Sequence, residues 1–394
     1  MSQRPISLSP DLSRLRAEGY DLLIERGFLV VRDVPYLDAA GTIVRGRLVK
    51  ALTLAGDVAA VPGDHTVYLA GPMPHDSQGR PMTNVVNSSA PQQLLPDLMV
   101  DHYLSHKPAQ GYPDFYQLIT TYVNVLSKHA QGIDPNVTAQ THPVVEAVED
   151  DEGPFLYIDT ASARAGITAV NAKAEWQKIA IAGLGGTGAY VLDLIAKSPV
   201  AQIDLYDGDL LLQHNAFRYP GAVPIEVLKA KPAKVDYLAE KYSVMRRGIV
   251  PHPYYLDDRN VSELVDADFV FLAVDDNPSR VMIARWLEAA DKPFVDVGMG
   301  LFEADGSIGG QLRVTGSFPG HRDHLWDERR RLPTSSSADE LYLQNVQIVD
   351  LNALNAALAV ARWKRHLGVF ADLSHEHHSI YAVDGNDILN EDYG

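Results

Sequence analysis

Lys178-Ile-Ala-Ile-Ala182 runs straight into Gly183-Leu-Gly-Gly-Thr-Gly188, and this stretch decides the fold. The first five residues read as a buried strand, and the glycines read as a tight turn into a helix over about 187–197. Glycine lets the backbone turn sharply and come close to an anion, while the helix N-terminus behind it offers free N–H groups and a partial positive charge. The pattern is a nucleotide site. Around it, strands are predicted at 202–206, 268–274 and 293–297, with helices near 228–242, 260–265 and 278–290. Strand and helix alternate as in a doubly wound, mostly parallel, Rossmann-like α/β sheet. Beyond Gly298 the pattern changes to an antiparallel strand over 308–316, a polar loop over 319–337 and a long apolar helix over 343–366.

The turn alone does not say which nucleotide chemistry it serves. Gly183, Gly185 and Gly188 also satisfy the G-x-G-x-x-G fingerprint of nicotinamide enzymes, with Asp207 placed for a ribose hydroxyl. A dehydrogenase, however, has no need of the polar residues that follow: Asn215, Arg218, Lys231 or Lys234, and the pair Asp276-Asn277. Arg and Lys converging on a phosphate-binding turn, with a carboxylate able to hold Mg²⁺, suit a reaction that stabilises charge on a triphosphate. Nucleotidyl transfer is favoured over hydride transfer.

Over roughly residues 160–365 the ordered motifs resemble the ThiF/MoeB-type adenylating enzymes, the superfamily of the ubiquitin-activating enzymes. The family's G-x-G-G-x-G is Gly183 to Gly188, including Gly186, and its ribose-binding D-x-D is Asp207-Gly-Asp209. Its N-L-x-R-Q reads Asn215-Ala-Phe-Arg218-Tyr219, its helical lysine matches Lys234 best with Lys231 as the alternative, and its T-D-N metal motif reads Asp275-Asp276-Asn277. The resemblance implies ATP and Mg²⁺ as cofactors, with Arg218 and Lys234 on the phosphates, Asp276 on Mg²⁺, Asp207 on the ribose and Asn215 on phosphate or pyrophosphate. It implies a homodimer in which Arg164 reaches the triphosphate of the opposite subunit. The implied substrate is the C-terminal carboxylate of a small ubiquitin-like or sulfur-carrier-like protein, with a downstream conjugating protein as a further partner. Long forms with an N-terminal extension tilt this towards conjugation.

One departure matters chemically: the chain has no cysteine. A thioester, a persulfide and a C-x-x-C zinc site are therefore excluded. Serines in Arg331-Leu-Pro-Thr-Ser-Ser-Ser337 lie where thioester-forming relatives carry their nucleophile, but no base adjoins Ser335, Ser336 or Ser337 to activate a hydroxyl. The expectation is a polar loop, and an adenylate handed directly to a separate protein.

At 394 residues the chain has length for two domains. Residues 1–150 read as a smaller α+β domain of its own, joined through the acidic stretch Pro143 to Gly153 to an adenylation domain over 160–394. The first domain shows an amphipathic stretch over Leu12 to Gly27, strands at Phe28 to Val34, Gly46 to Leu54 and His65 to Leu69, and a helix over 113–131. His65 and His75 flank a Pro/Gly-rich loop there without a nucleophile beside them, and His375, His377 and His378 read as a solvated tail. A net charge of −17 argues against nucleic acid or anionic membrane as partners. No leader or membrane span is visible, and the cysteine-free composition fits a cytoplasmic protein. The rival readings are a nicotinamide oxidoreductase and a non-catalytic module that only binds a ubiquitin-like tail.

Overall fold

The computed structural model describes residues 4–147, 153–327, 331–333 and 346–393. The chain divides into two compact units, one of residues 1–152 with 157–168 and the other of 153–156 with 169–394. Among the described residues no helix is long and apolar enough to cross a membrane.

The first unit is built on a six-stranded sheet in the order Leu22–Glu25, Phe28–Leu37, Ile43–Ala51, Thr66–Ala70, Leu98–Ser105, Val86–Leu95. All its pairings are antiparallel. Helix Phe115–Gln131 starts where the Asp114 side chain accepts the Gln117 N–H. Its stripe of Phe115, Leu118, Tyr122 and Leu126 is buried in one core with Leu29, Val31, Leu48 and Leu104 from the sheet. Two features differ from the sequence reading. The amphipathic stretch from Leu12 to Gly27 is a helix only to Ala17, and Leu22–Glu25 is already the first strand. The hairpin of Val86–Leu95 and Leu98–Ser105 carries no sequence signal, because the outer strand exposes every residue from Asn87 to Gln93 and so lacks the apolar alternation that marks a half-buried strand.

The second unit carries an eight-stranded sheet, whose strands are numbered here within the unit: β1 Lys178–Ala182, β2 Gln202–Tyr206, β3 Ile249–His252, β4 Phe269–Leu272, β5 Phe294–Ala304, β6 Ser307–Ser317, β7 Glu376–Ala382 and β8 Asp387–Tyr393. Their order is β3-β2-β1-β4-β5-β6-β7-β8. The pairings from β3 through β5 are parallel and those from β5 to β8 antiparallel, a mixed, mostly parallel Rossmann-like sheet. Helix α1 (Gly186–Ile195) follows the glycine turn. At its far end the buried Arg246 guanidinium donates to the carbonyls of Ile195, Ala196 and Ser198, satisfying groups a helix C-terminus leaves without partners.

The helix expected near 228–242 is two helices, α2 (Ile225–Ala230) and α3 (Lys234–Ser243). Pro232 explains the break: it offers no N–H, and it drives the residue before it out of the right-handed helical region. Lys231 accordingly sits at φ +50°, in the left-handed region. The segment at 260–265 is a 3₁₀ helix, Val261–Asp266. Helix α4 spans Asn277–Ala289, and the long helix α5 spans Val349–His366. Strands β3, β7 and β8 were not foreseen.

Strand β7 also corrects the histidine tail. His375 is exposed, but His378 is buried and the two ring nitrogens of His377 have no hydrogen-bond partner. The His377 ring stacks at 4.8 Å on His321 and 5.9 Å on His324, and His378 Nδ1 lies 3.0 Å from Thr315 Oγ1. Among the described residues no group of three His, Cys, Asp or Glu side chains is placed to hold a metal. Burial first, and then the neighbouring His321 and His324, push His377 down to about 4. Burial and then Arg331 and Arg313 push His378 down to about 3. Both rings stay neutral in the fold, whereas in the unfolded chain they take up protons near the ordinary 6.5. The unfolded state therefore binds more protons, so stability is complete above that value and declines as pH falls from it towards 4 and 3. The urea midpoint is expected to drop between about pH 7 and pH 5; a midpoint that stayed level would contradict the burial of these rings.

Candidate functional site

In the order β3-β2-β1-β4-β5 the chain connections leave in opposite directions on either side of β1 and β4, and a crevice opens there at the carboxyl ends of the parallel strands. A cavity of about 590 Å³ occupies this position, within the usual range for a small-molecule site. Its floor is the glycine turn. Gly183 has φ +90°, and a Cβ there would stand 2.5 Å from the Ala273 carbonyl oxygen. A Cβ on Gly188 would collide with the Gly183 carbonyl, so Gly188 serves helix packing and does not face the cavity. Gly185 is different. It lines the cavity, and a Cβ there would meet nothing within 4 Å.

Three charged side chains form one wall. Asp207 is buried and its carboxylate is committed to backbone: Oδ2 accepts the Leu184 N–H at 2.7 Å and Oδ1 accepts the Asp209 N–H at 2.8 Å. It braces the glycine turn against the end of β2. Lys234, at the start of α3, is buried with its Nζ 2.5 Å from Asp209 Oδ2 and 3.5 Å from Asp207 Oδ2. Asp209 is half exposed at the cavity wall, and its Oδ1 accepts the Tyr255 hydroxyl proton. Burial alone would raise the Asp209 carboxyl, but the hydrogen bonds from Lys234 and Tyr255 outweigh it and hold the group below the ordinary carboxylate value. Lys231 is exposed at the end of α2 and does not line the cavity.

The second wall is the start of α4. Asp276 caps this helix, accepting the Ser279 N–H at 2.8 Å, and that bonding lowers its carboxyl. The capping oxygen is Oδ2, and the side chain is otherwise exposed beside Asp275. Two exposed carboxylates with no preformed cage fit Mg²⁺, which is usually held by one or two carboxylates together with substrate phosphates. Arg280 lies beneath, bonded to Asn277 Oδ1 and the Val274 carbonyl and paired at 3.1 Å with the fully buried Asp296. Arg313 closes on the same carboxylate at 2.5 Å.

Helix α5 supplies residues that no motif announced. Asn352 Oδ1 accepts the Thr187 hydroxyl at 2.9 Å and Asn355 Nδ2 donates to the Gly298 carbonyl at 3.0 Å, so both tie the long helix to the cavity. The one signal available was a pair of asparagines three apart in the otherwise apolar run from Leu351 to Ala361. Arg218 does not line the cavity itself; its Nη1 donates at 2.6 Å to Gln347, which does. Asn215 is buried, accepts the Leu212 N–H at 2.8 Å through Oδ1, and so caps the helical turn Gln213–Ala216, without lining the cavity. Arg164 lies on helix Thr160–Ala165 of the first unit. Ser335, Ser336 and Ser337 lie outside the described residues.

Residues 163–315 match the ThiF family, and residues 10–160 match a domain of unknown function, DUF6791. Among solved structures, Escherichia coli MccB with MccA-N7isoAsn is 16% identical, covers 60% of this chain and 70% of that chain, and superposes with a TM-score of 0.47. MccB with ATP is 18% identical over 60% and 70% of the two chains, with a TM-score of 0.42. Selenomethionine PaaA is 17% identical over 57% and 76%, with a TM-score of 0.40. No curated protein matches the chain.

Proposed function

We infer from the ThiF family domain that carries this cavity that the protein is an adenylating enzyme, which uses ATP and Mg²⁺ to activate the C-terminal carboxylate of a small ubiquitin-like or sulfur-carrier-like protein. The observation that carries the reading is Lys234, buried against Asp207 and Asp209 beside the glycine turn, in a cavity that also holds the ionised Asp276 at a helix N-terminus. Hydride transfer calls for neither the lysine nor the second carboxylate.

The glycine turn and the N–H groups opening α1 receive the phosphates. Lys234 supplies positive charge, and Arg218 holds Gln347, which lines the cavity. Asp209, with its carboxylate at the wall, takes the ribose, while Asp207 holds the turn in shape. Asp276 and Asn277 stand where Mg²⁺ would be held, and that ion supplies neutralisation of phosphate charge. Asn215 shapes the segment that carries Arg218, and Arg164 acts across a homodimer interface. In the reaction a carboxylate oxygen of the partner attacks the α-phosphorus in line. The bond from that phosphorus to the bridging oxygen breaks, and pyrophosphate leaves with the electron pair. The protein contributes position and charge. With no cysteine in the chain, the acyl-adenylate passes to a separate conjugating or acceptor protein.

Calorimetric titration tests the nucleotide assignment. ATP with Mg²⁺ is expected to bind and NAD is not, and Asp276→Ala should remove at least tenfold of the Mg²⁺-dependent affinity. Because Asp276 is also a helix cap, the same substitution should lower stability by about 1 kcal/mol. Preference for NAD, or full Mg²⁺ dependence in Asp276→Ala, would overturn the assignment.

A further inference from the structure

We propose that Tyr255 is a positioning residue that makes the site selective for a ribose with its hydroxyls intact, by fixing the Asp209 carboxylate at the cavity wall. The proposal rests on the adenylating reading above. Asp209 is held from two sides: Lys234, opening α3, takes Oδ2, and Tyr255, on the loop after β3, donates to Oδ1. Each carboxylate oxygen retains a lone pair after one such bond, so a carboxylate clamped in this way can still accept two hydroxyl protons. Without Tyr255 the half-exposed carboxylate would be tethered through one oxygen only and free to rotate.

Among the described residues the Tyr255 hydroxyl makes no other hydrogen bond. It is 64% exposed and belongs to none of the buried core clusters. Its neighbour Tyr254 is engaged elsewhere, donating to Glu263 at 2.7 Å with His252 3.0 Å away. The Tyr255 ring instead lies over Gly208, where a Cβ would come within 2.7 Å of ring carbon Cε2. A Cβ at the middle residue of Asp207-Gly-Asp209 would therefore push the tyrosine ring aside. The hydrogen bond to Asp209, followed by burial, pushes the phenol up to about 12, so Tyr255 remains a donor at any working pH.

The test compares ATP with 2′,3′-dideoxy-ATP, each with Mg²⁺, by calorimetry on the full chain. Tyr255→Phe keeps the ring and removes the donor. Its dissociation constant for ATP should rise about tenfold, the size expected for a hydrogen bond to a charged group, while that for the dideoxy analogue stays level. In an Asp209→Ala background, which removes the acceptor, the same change should have no further effect. Gly208→Ala, which displaces the ring, should weaken ATP at least as much as Tyr255→Phe. Equal weakening of both nucleotides, or a tenfold loss persisting without the Asp209 charge, would overturn the proposal. So would a wild-type protein that binds the two nucleotides equally, although the adenylating reading would stand. A wild-type protein that binds neither would remove that reading and the proposal with it.

Discussion

Lys234→Ala is expected to abolish ATP–pyrophosphate exchange and to destabilise the fold at the same time. Removing one member of a buried ionic group leaves its partners uncompensated, typically at roughly 3–5 kcal/mol, and the lower end applies here because only one of the two carboxylates is buried. Asp207 would keep its two backbone N–H bonds but lose its neighbouring cation, and Asp209 would keep only Tyr255. The loss should show as a lower denaturant midpoint with unchanged slope, alongside exchange below detection. Lys231→Asn is the matched control. It sits at φ +50°, exposed, where asparagine is well tolerated, and it should leave both readouts within error of wild type. Activity lost in Lys231→Asn and kept in Lys234→Ala would reverse the assignment of the lysine.

The glycine turn separates a structural from a ligand requirement in one experiment. Gly188→Ala would drive a methyl group into the Gly183 carbonyl, and Gly183 has little room to yield because its N–H is bonded to the Tyr206 carbonyl at 2.8 Å and its own Cβ position faces Ala273. Backbone against backbone cannot be relieved by a rotamer change, so the loss should reach roughly 3 kcal/mol or more, at the upper end for a single substitution. Gly185→Ala meets nothing, so stability should fall by no more than about 1 kcal/mol, the difference between a good and a poor residue at a helix N-cap. Its methyl group would project into the cavity, and ATP affinity should drop more than tenfold. Circular dichroism melts and nucleotide titrations of the two variants separate these outcomes; normal ATP binding by Gly185→Ala would show that phosphate does not approach this turn.

Legibility in the sequence followed local chemistry. Strands β1 and β2 and the turn between β1 and α1 could be read because buried parallel strands are continuous apolar runs and the turn demands glycine. Strand β3 has four residues with Pro251 inside it at the sheet edge, and β7 and β8 are rich in His, Asn, Glu and Asp, so neither apolar run nor alternation marks them. The break between α2 and α3 has a signal in Pro232, which separates Lys231 from Lys234. Asn352 had only its spacing from Asn355, and Tyr255 had none. Asn352 reaches the turn through Thr187, 165 residues earlier in the chain, and Tyr255 reaches Asp209 across 46 residues. Such partners are set by how the sheet brings distant loops together. For the same reason Asp207 and Asp209, equivalent in a motif, part into a buried brace and an exposed acceptor once folded.

Transfer of label from pyrophosphate into ATP tests the central claim most directly. The assay would contain this protein, ATP, Mg²⁺ and a small ubiquitin-like protein ending in a free C-terminal glycine, with the same small protein amidated at its C-terminus as control. Exchange is expected only with the free carboxylate and only with Mg²⁺ present, and it should vanish in Lys234→Ala. Tight binding of the small protein with no exchange, or stabilisation by NAD and none by ATP with Mg²⁺, would contradict it.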